Sequence, residues 1–501
     1  MKITYDEKEM EIEKGTLVKE VFSKEIEESE NIIIAAKCNY VIVSLNHELE
    51  EDERVELIDI TTKEGMSIYT KGLLYILGKA FKELYPDIKI TVDYQLSNSL
   101  LCEVIYAEIT SEMIENVENK MREIVTKDIP FRKIRMSKEE AEKFYAENGS
   151  KRGRLQLEAK EKEYVSLYYC EEYFNYFFGA MPISSGYMKN FKLEKYHDGF
   201  LVRYPNASDP TKLQPFVENK KLLQALDDYE DLHKELKIDT IEELNQITRE
   251  GKIRETILID EALHEKKIVE IANEIVKRNG IRMVLIAGPS SSGKTTFAKR
   301  LGLQLKANGR KPVTISVDNY FVEREQTPKD EHGNYDFESI EAIDLELFND
   351  HLVRLLNGEA VELPSFDFAT GTKLYKGDII QVGKDEILVI EGIHCLNDRL
   401  TSQIVKEQKY KIYISALAVL NMDYFNRIST TDSRIIRRMV RDNQFRGYPA
   451  LQTLKMWYSV NRGEQKNIFP FQEEADIMFN TSLIYELRRT ERLCNSTFKG
   501  N

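Results

Sequence analysis

The sequence predicts an α/β chain: a parallel sheet flanked by helices in its C-terminal part, preceded by a small β-rich unit and an α+β unit. Three observations predict it. Gly288-Pro289-Ser290-Ser291-Ser292-Gly293-Lys294-Thr295 completes a G-x-x-x-x-G-K-[ST] loop between an apolar run and an amphipathic segment. Two later apolar runs each deliver an acid, Asp318 and Glu391, as buried strands of an open α/β sheet do. The first 62 residues instead carry short alternating runs, which read as half-buried strands.

Taken in order, Lys2–Tyr5, Ile32–Ala35, Tyr40–Val43 and Val55–Ile58 read as strands around one helix near Leu17–Phe22. A long amphipathic helix follows Gly65 and opens a mixed unit that runs to Asp228. Residues 229–279 are highly charged and helical by period, and read as a connector. Met283–Ala287 is a buried strand feeding the glycine loop. Phe297, Leu301 and Leu305 then mark a helix that Gly309 stops. Ala475 to Leu487 reads as the last strand and its exit, and 488–501 as a polar tail.

At 501 residues the chain exceeds one ordinary core. A 42% hydrophobic and 31% charged composition fits a soluble globular protein. No apolar stretch nears the roughly 18 residues of a membrane span, and the N-terminus has no apolar signal region. Cys38, Cys102, Cys170, Cys395 and Cys494 lie far apart with no C-x-x-C pair, which fits the reducing cytoplasm rather than a disulfide framework or a zinc finger. A net charge of −14 argues against broad electrostatic binding to nucleic acid, while a local basic patch leaves an RNA partner open.

The loop carries the chemistry. Gly288 and Gly293 let backbone N–H groups turn inward around phosphate oxygens, with Pro289, Ser290, Ser291 and Ser292 between them. Lys294 can reach the β- and γ-phosphates and Thr295 can bind Mg²⁺, with Thr296 completing the helix start. Asp318, after the second strand, can take a proton from an attacking hydroxyl or hold Mg²⁺ through water. Glu391, after the third, can orient Mg²⁺ or its water. Arg434, Arg437, Arg438 and Arg441 fall at i, i+3, i+4 and i+7 on one helix face, with Asp432 as the expected N-cap. A charge run is ordinarily a solvated face. Four arginines without a lysine, after a phosphate loop and two acidic strand ends, point instead to a transferring phosphoryl group. Arg446-Gly447 reads as a hinge that would let this helix act as a lid.

These elements resemble the uridine kinase and phosphoribulokinase family of P-loop kinases over about Gly280–Leu487. The matching segments are Gly288–Thr296, Val317-Asp-Asn-Tyr-Phe321, Asn334-Tyr-Asp336, Val389-Ile-Glu-Gly392 and the arginine helix. The resemblance implies γ-phosphoryl transfer from ATP or GTP, with Mg²⁺, to a sugar hydroxyl, by default the 5′-hydroxyl of uridine or cytidine. Asp318 would be the general base, Asp336 would hold the ribose hydroxyls, and the arginine helix would close over the phosphates. One departure touches the acceptor. The family's base-reading Tyr-Asp-Phe segment, followed by His and Arg, appears here as Phe366-Asp367-Phe368 with Gly371 and Lys373. Polar base contacts are thereby lost, so another nucleoside or a free sugar stays open.

Residues 1–62 resemble the TGS domain of threonyl-tRNA synthetases, and 63–228 their editing domain, including Tyr196-His-Asp-Gly-Phe200. The editing family's two helical histidines are Lys71 and Tyr75 here, and its later Cys–His pair is Cys170 and Phe174. The resemblance therefore implies a binding, regulatory or assembly module without editing chemistry, in a chain expected to form a homo-oligomer. Relatives with this two-part arrangement continue with further helices, so an ending such as Arg488-Arg-Thr-Glu is expected to expose apolar surface. The rival reading is a nucleotide-binding regulator, RNA-linked, without small-molecule turnover.

Overall fold

Short alternating runs at the N-terminus pair into a sheet, and continuous apolar runs near the C-terminus stack into another. The computed structural model describes residues 1–105, 107–147, 157, 163–236, 238–331, 333–368, 370–418 and 420–486. The polar tail read over 488–501 lies outside them. The chain divides into two compact units. One comprises Met1–Glu218, Thr240–Glu242 and Asn421–Arg427; the other comprises Asn219–Asp239, Glu243–Leu420 and Ile428–Asn501.

The first unit opens with β1 (Lys2–Tyr5), β2 (Lys8–Glu11), α1 (Val18–Val21), α2 (Ser23–Glu28), β3 (Ile33–Cys38), β4 (Val41–Ser44) and β5 (Glu53–Asp59). The strands form one sheet in the order β2-β1-β5-β3-β4, with β1 parallel to β5 and the other neighbours antiparallel. Ile3, Val18, Phe22, Ala36, Leu45 and Val55 form its core. The single helix expected near Leu17–Phe22 is two short helices broken at Phe22, whose φ of −107° and ψ of 25° leave the helical region.

Helix α3 (Lys63–Leu84) follows. Its N-cap Thr62 accepts the Gly65 N–H at 3.0 Å. Gly65 must be glycine, because a Cβ there would sit 1.9 Å from the Asp59 carbonyl oxygen. The unit continues with β6 (Lys89–Leu96), β7 (Ser99–Ile105), α4 (Ser111–Lys127), β8 (Arg132–Ser137), α5 (Lys138–Glu147), β9 (Tyr164–Cys170), β10 (Tyr173–Asn175), β11 (Lys192–Tyr196) and β12 (Gly199–Arg203). Sheets β11-β12-β7-β6 and β10-β9-β8 result. Tyr69, Leu73, Tyr75, Ile76 and Leu77 of α3 lie in the unit's main core.

Residues Asn421–Arg427 reach this unit from far along the chain. Asn421 Nδ2 donates to the Val92 carbonyl at 2.9 Å, and the Val92 N–H donates to the Tyr424 carbonyl at 2.9 Å. Asn426 accepts the Phe178 N–H at 3.2 Å and donates to the Tyr176 carbonyl at 2.9 Å.

The second unit holds α6 (Lys220–Leu236), most of α7 (Ile241–Arg249), α8 (Ile253–Lys277), β13 (Met283–Ala287), α9 (Lys294–Ala307), β14 (Lys311–Ser316), α10 (Leu345–Leu356), β15 (Ala360–Asp367), β16 (Thr372–Gln381), β17 (Glu386–Glu391), β18 (Lys409–Ser415), α11 (Thr430–Arg446), α12 (Ala450–Asn467) and β19 (Ile477–Asn480). Its main sheet runs β14-β17-β13-β18-β19, every pairing parallel. A parallel sheet must be covered on both faces, which explains the continuous apolar runs of β13 and β17 at its centre, whereas β14, expected to be buried, lies at the sheet edge and stays partly exposed. Val284 and Ile286 face α8 and α9 through Ile268, Ile271, Ala272, Phe297, Leu301 and Leu305. Met283, Leu285 and Ala287 face the other way, toward Phe348, Leu352 and Leu355 of α10. Helix α8, which falls in the stretch read as connector, is thus part of this unit's core. No described helix is long and apolar enough to cross a membrane.

Candidate active site

The strand β13 ends at Ala287 and α9 begins at Lys294, so the loop between them lies at the C-terminal edge of the sheet, where open α/β folds take ligands. Ser291 and Gly293 hold positive φ of 60° and 89°. Such successive left-handed and right-handed residues turn N–H groups into one concavity. Gly288 has no room for a side chain, since a Cβ would lie 2.1 Å from the Ile414 carbonyl oxygen. Lys294 Nζ donates back to the Gly288 and Pro289 carbonyls at 2.9 and 3.3 Å, so its ammonium sits over the loop. The Ser291 and Ser292 hydroxyls are buried without a hydrogen-bond partner, which suits an anion that supplies acceptors.

Two acids reach the same place by register. Glu391 ends β17 opposite Ile286 of β13 on one side and Ser316 of β14 on the other. Its carboxylate accepts from Ser316 Oγ at 3.0 Å and lies 3.5 Å from Thr295 Oγ1. Burial raises its pKa, Lys294 opposes that, and Asp318 adds to the rise. Thr295, Glu391 and Ser316 thus offer only oxygen donors, the hard and sparse set that fits Mg²⁺. Asp318 sits on a tight 3₁₀ turn, Val317–Tyr320, just past the end of β14. The residue is exposed, yet desolvation of its carboxyl raises its pKa. The charges of Lys294, Arg446 and Arg441 pull that pKa back. Arg446, read from sequence only as part of a hinge, is therefore in the electrostatic reach of Asp318.

The arginine helix is built differently from a surface helix. Its N-cap is Ser429, which accepts the Asp432 N–H at 3.0 Å; Asp432 itself is not the cap, because the helix starts three residues earlier than its sequence suggests. The arginine face points inward and Ile435, Ile436 and Val440 stay half-exposed. Arg434 is 1% exposed and ion-pairs with fully buried Glu464 of α12. Glu464 also accepts the Ser290 N–H at 2.7 Å. Arg434 Nε donates to the Ser290 carbonyl at 3.1 Å, Arg437 to the Ser291 carbonyl at 3.2 Å, and Arg438 to Ser290 Oγ at 2.6 Å. Arg437 also pairs with Glu486. Arg441 binds its neighbour Asp442 at 2.7 Å and remains one-third exposed. Arg434 and Arg437 on the Ser290 and Ser291 carbonyls, and Glu464 on the Ser290 N–H, thus pin the backbone of the loop. Glu464 and Asp442, which neutralise this face, lie too far along the chain or too close to the run to stand out in the sequence.

Glu338 is a further group that the sequence does not flag. Burial, then the neighbouring Glu464 and Asp318, push its pKa up to about 7 against Arg438 and Lys294. Its side chain packs where Gly463 has no Cβ.

The residues read as acceptor contacts lie on two neighbouring elements. Asp336 accepts the Glu338 N–H at 3.2 Å and donates its own backbone N–H to Pro328. Phe366 is buried in β15, with its ring 5.5 Å from Phe321 and 5.1 Å from Phe368. Asp367 pairs in register with Thr372 at the end of the hairpin. Lys373 is tied to Asp344 at 2.6 Å. Gly371 has φ of +77°, and a Cβ there would lie 2.5 Å from Arg324 Nε. The space that a larger residue would fill is thus taken by Arg324, which also donates to the Phe368 carbonyl at 2.8 Å.

In the first unit, the four positions compared with an editing centre are closed by packing. Tyr75 is buried, with its hydroxyl on the Tyr168 and Tyr173 carbonyls at 2.8 and 3.2 Å. Lys71 donates to the Phe178 carbonyl at 3.0 Å. Cys170 is buried, which pushes its thiol up to about 11, and Phe174 packs against Phe144 and Tyr169.

Residues 283–483 match the family model described as the Phosphoribulokinase / Uridine kinase family. The chain is 30% identical over 194 residues to a uridine kinase of Halalkalibacterium halodurans, covering 82% of that protein and 38% of this one. The chain belongs to the phosphoribulokinase/uridine kinase family. Its N-terminal half matches threonine–tRNA ligases. With that of Desulforamulus reducens it is 29% identical over 181 residues, 36% of this chain and 28% of that one. It thus spans little more than a quarter of that ligase's length. A solved structure described as a possible uridine kinase from Bacillus stearothermophilus aligns over 43% of this chain and 98% of its own, at 19% identity and a TM-score of 0.30.

Proposed function

We propose that the chain is a Mg²⁺-dependent kinase that transfers the γ-phosphoryl group of ATP or GTP to a hydroxyl of a nucleoside, by default the 5′-hydroxyl of uridine or cytidine, or of a related sugar. The observation that carries this reading is the gathering of Lys294, Thr295, Glu391 and Asp318 at the C-terminal ends of β13, β17 and β14. The loop amides and Lys294 hold the phosphates in line with the acceptor. Thr295 and Glu391 would hold Mg²⁺, which when bound neutralises charge between the β- and γ-phosphates. Asp318 takes the proton of the acceptor hydroxyl as its oxygen bonds to the γ-phosphorus and the bond to the β-phosphate oxygen breaks. Arg441 and Arg446, whose charges act on Asp318, would meet the developing charge, whereas Arg434, Arg437 and Arg438 act through the loop they hold. Asp336 would hold the ribose. Phe366, Asp367 and Lys373 would border the base, with fewer polar contacts than a strict pyrimidine reader needs. The first 62 residues serve as a TGS-like domain and the following residues as an editing-like domain that binds or regulates, since Tyr75 and Phe174 stand where that chemistry needs ligands; its end, read at 228, moves to Glu218, because Ala225 of α6 packs in the second unit's core.

The test is ADP release from Mg²⁺-ATP across a panel of nucleosides and sugars, with Lys294→Ala as the blank. Stimulation by a pyrimidine nucleoside, lost in the variant, is expected. Tight nucleotide binding with no acceptor response would replace the kinase with a nucleotide-binding regulator. The likeness of the N-terminal half to threonine–tRNA ligases favours an RNA partner in that case, and its binding would weaken steeply with salt.

A further inference from the structure

The first sheet of the N-terminal unit brings together three side chains that neither the kinase nor the editing comparison uses. Cys38 ends β3, Glu53 begins β5, and His47 lies in the turn after β4. One ligand atom from each, thiol sulfur, ring nitrogen and carboxylate oxygen, lies within 4.8 Å of the other two. The scaffold beneath them is defined by hydrogen bonds. Asn39 and Tyr40, with φ of 44° and 75°, make the tight turn from Cys38 into β4. Asn39 Oδ1 accepts the Arg54 N–H at 2.9 Å, which ties that turn to the start of β5. The backbone of His47 is held at both ends: its N–H donates to the Ser44 carbonyl at 2.9 Å and its carbonyl accepts from Val18 at 3.0 Å.

A second observation points to a ligand. Glu53 is only 9% exposed, and its Oε2 has no hydrogen-bond partner. A buried carboxylate oxygen left unpaired is costly, and a cation is one of the few things that satisfies it.

We propose that Cys38, His47 and Glu53 bind one Zn²⁺ ion. Sulfur, imidazole nitrogen and carboxylate together select a borderline-soft ion over Mg²⁺ or Ca²⁺, which take oxygen alone. Zinc bonds of about 2.0–2.3 Å require the three atoms to close by about 1 Å, within reach of side-chain rotation on a fixed sheet. The thiol gives up its proton on binding, and water completes the tetrahedron from the half-exposed His47 side. The ion would clip the β3–β4 hairpin to the start of β5.

The test uses the full chain in a Cys494→Ser background, stripped with chelator and titrated with Co²⁺. One equivalent should produce a thiolate-to-cobalt charge-transfer band, which Zn²⁺ then bleaches. Any Co²⁺ in the P-loop unit meets only oxygen there and gives no such band. Cys38→Ser keeps a small polar side chain at the end of β3 and should lose the band. His47→Ala, at a half-exposed turn position, should lose one-equivalent binding with unchanged far-UV circular dichroism. Absence of the band in the parent protein under excess Co²⁺, or its persistence in Cys38→Ser, would overturn the proposal.

Discussion

The ion pair of Arg434 and Glu464 offers the most direct test of how the arginine helix works. Both side chains are out of water, at 1% and 0% exposure, so neither charge regains hydration when its partner is lost. Glu464→Gln keeps an amide oxygen for the Ser290 N–H and removes only the charge. Breaking a buried pair in this way costs about 3–5 kcal/mol, most of it from the stranded charge. For a unit of this size that lowers the melting temperature by roughly 6–20 °C. Trp457 is the chain's single tryptophan, and its ring lies 5.4 Å from the Arg434 guanidinium, so its fluorescence reports unfolding of this unit. Urea unfolding of the variant should therefore shift by the full amount. The double variant Arg434→Met with Glu464→Leu should recover most of the stability, because an apolar pair removes both desolvation costs. It should not recover nucleotide affinity, because the Nε–H bond to the Ser290 carbonyl is gone. A loss below about 1 kcal/mol in Glu464→Gln would refute the reasoning, since that is the size of an exposed pair. Full nucleotide affinity in the double variant would show that the helix does not hold the loop.

Three further outcomes are expected. Asp318→Asn should abolish acceptor-stimulated turnover, a fall of at least about 10²-fold, and leave nucleotide affinity within a small factor; preserved transfer with lost ATP binding would sink the base assignment. Arg446→Ala removes a cation that stabilises ionised Asp318, so its carboxyl pKa rises and the acid limb of kcat/KM moves to higher pH; an unmoved limb would separate Arg446 from the site. Asp260 and His264, one turn apart on α8, should show opposite pH effects on stability. Burial raises Asp260 to about 7, so its contribution is present below about 4 and lost as pH rises through 7. Burial lowers His264 to about 4, so its contribution is present above 6.5 and lost as pH falls through 4. Asp260→Asn should therefore gain stability between pH 4 and 7, and His264→Gln should lose it over the same range, in urea melts followed at Trp457.

Elements whose chemistry is local are legible in the amino-acid sequence alone. A glycine loop between a buried strand and a helix needs only neighbouring residues, so Gly288–Thr295 and the strands before Asp318 and Glu391 could be read directly. Their meeting at one sheet edge follows from parallel pairing, which the continuous apolar runs already imply. What the sequence withheld depends on partners distant in the chain. An arginine at every third or fourth position says that a helix has a charged face, but not whether water or buried acid neutralises it. Glu464, 30 residues after Arg434, decided that this face points inward and binds the loop. Glu338 and Arg324 entered the site's surroundings for the same reason, through packing against Gly463 and Gly371. The embedding of Asn421–Arg427 in the N-terminal unit rests on bonds to Val92, Tyr176 and Phe178, hundreds of residues away. No local period encodes such contacts. Burial and charge compensation are properties of the folded chain, and only the tertiary structure set them.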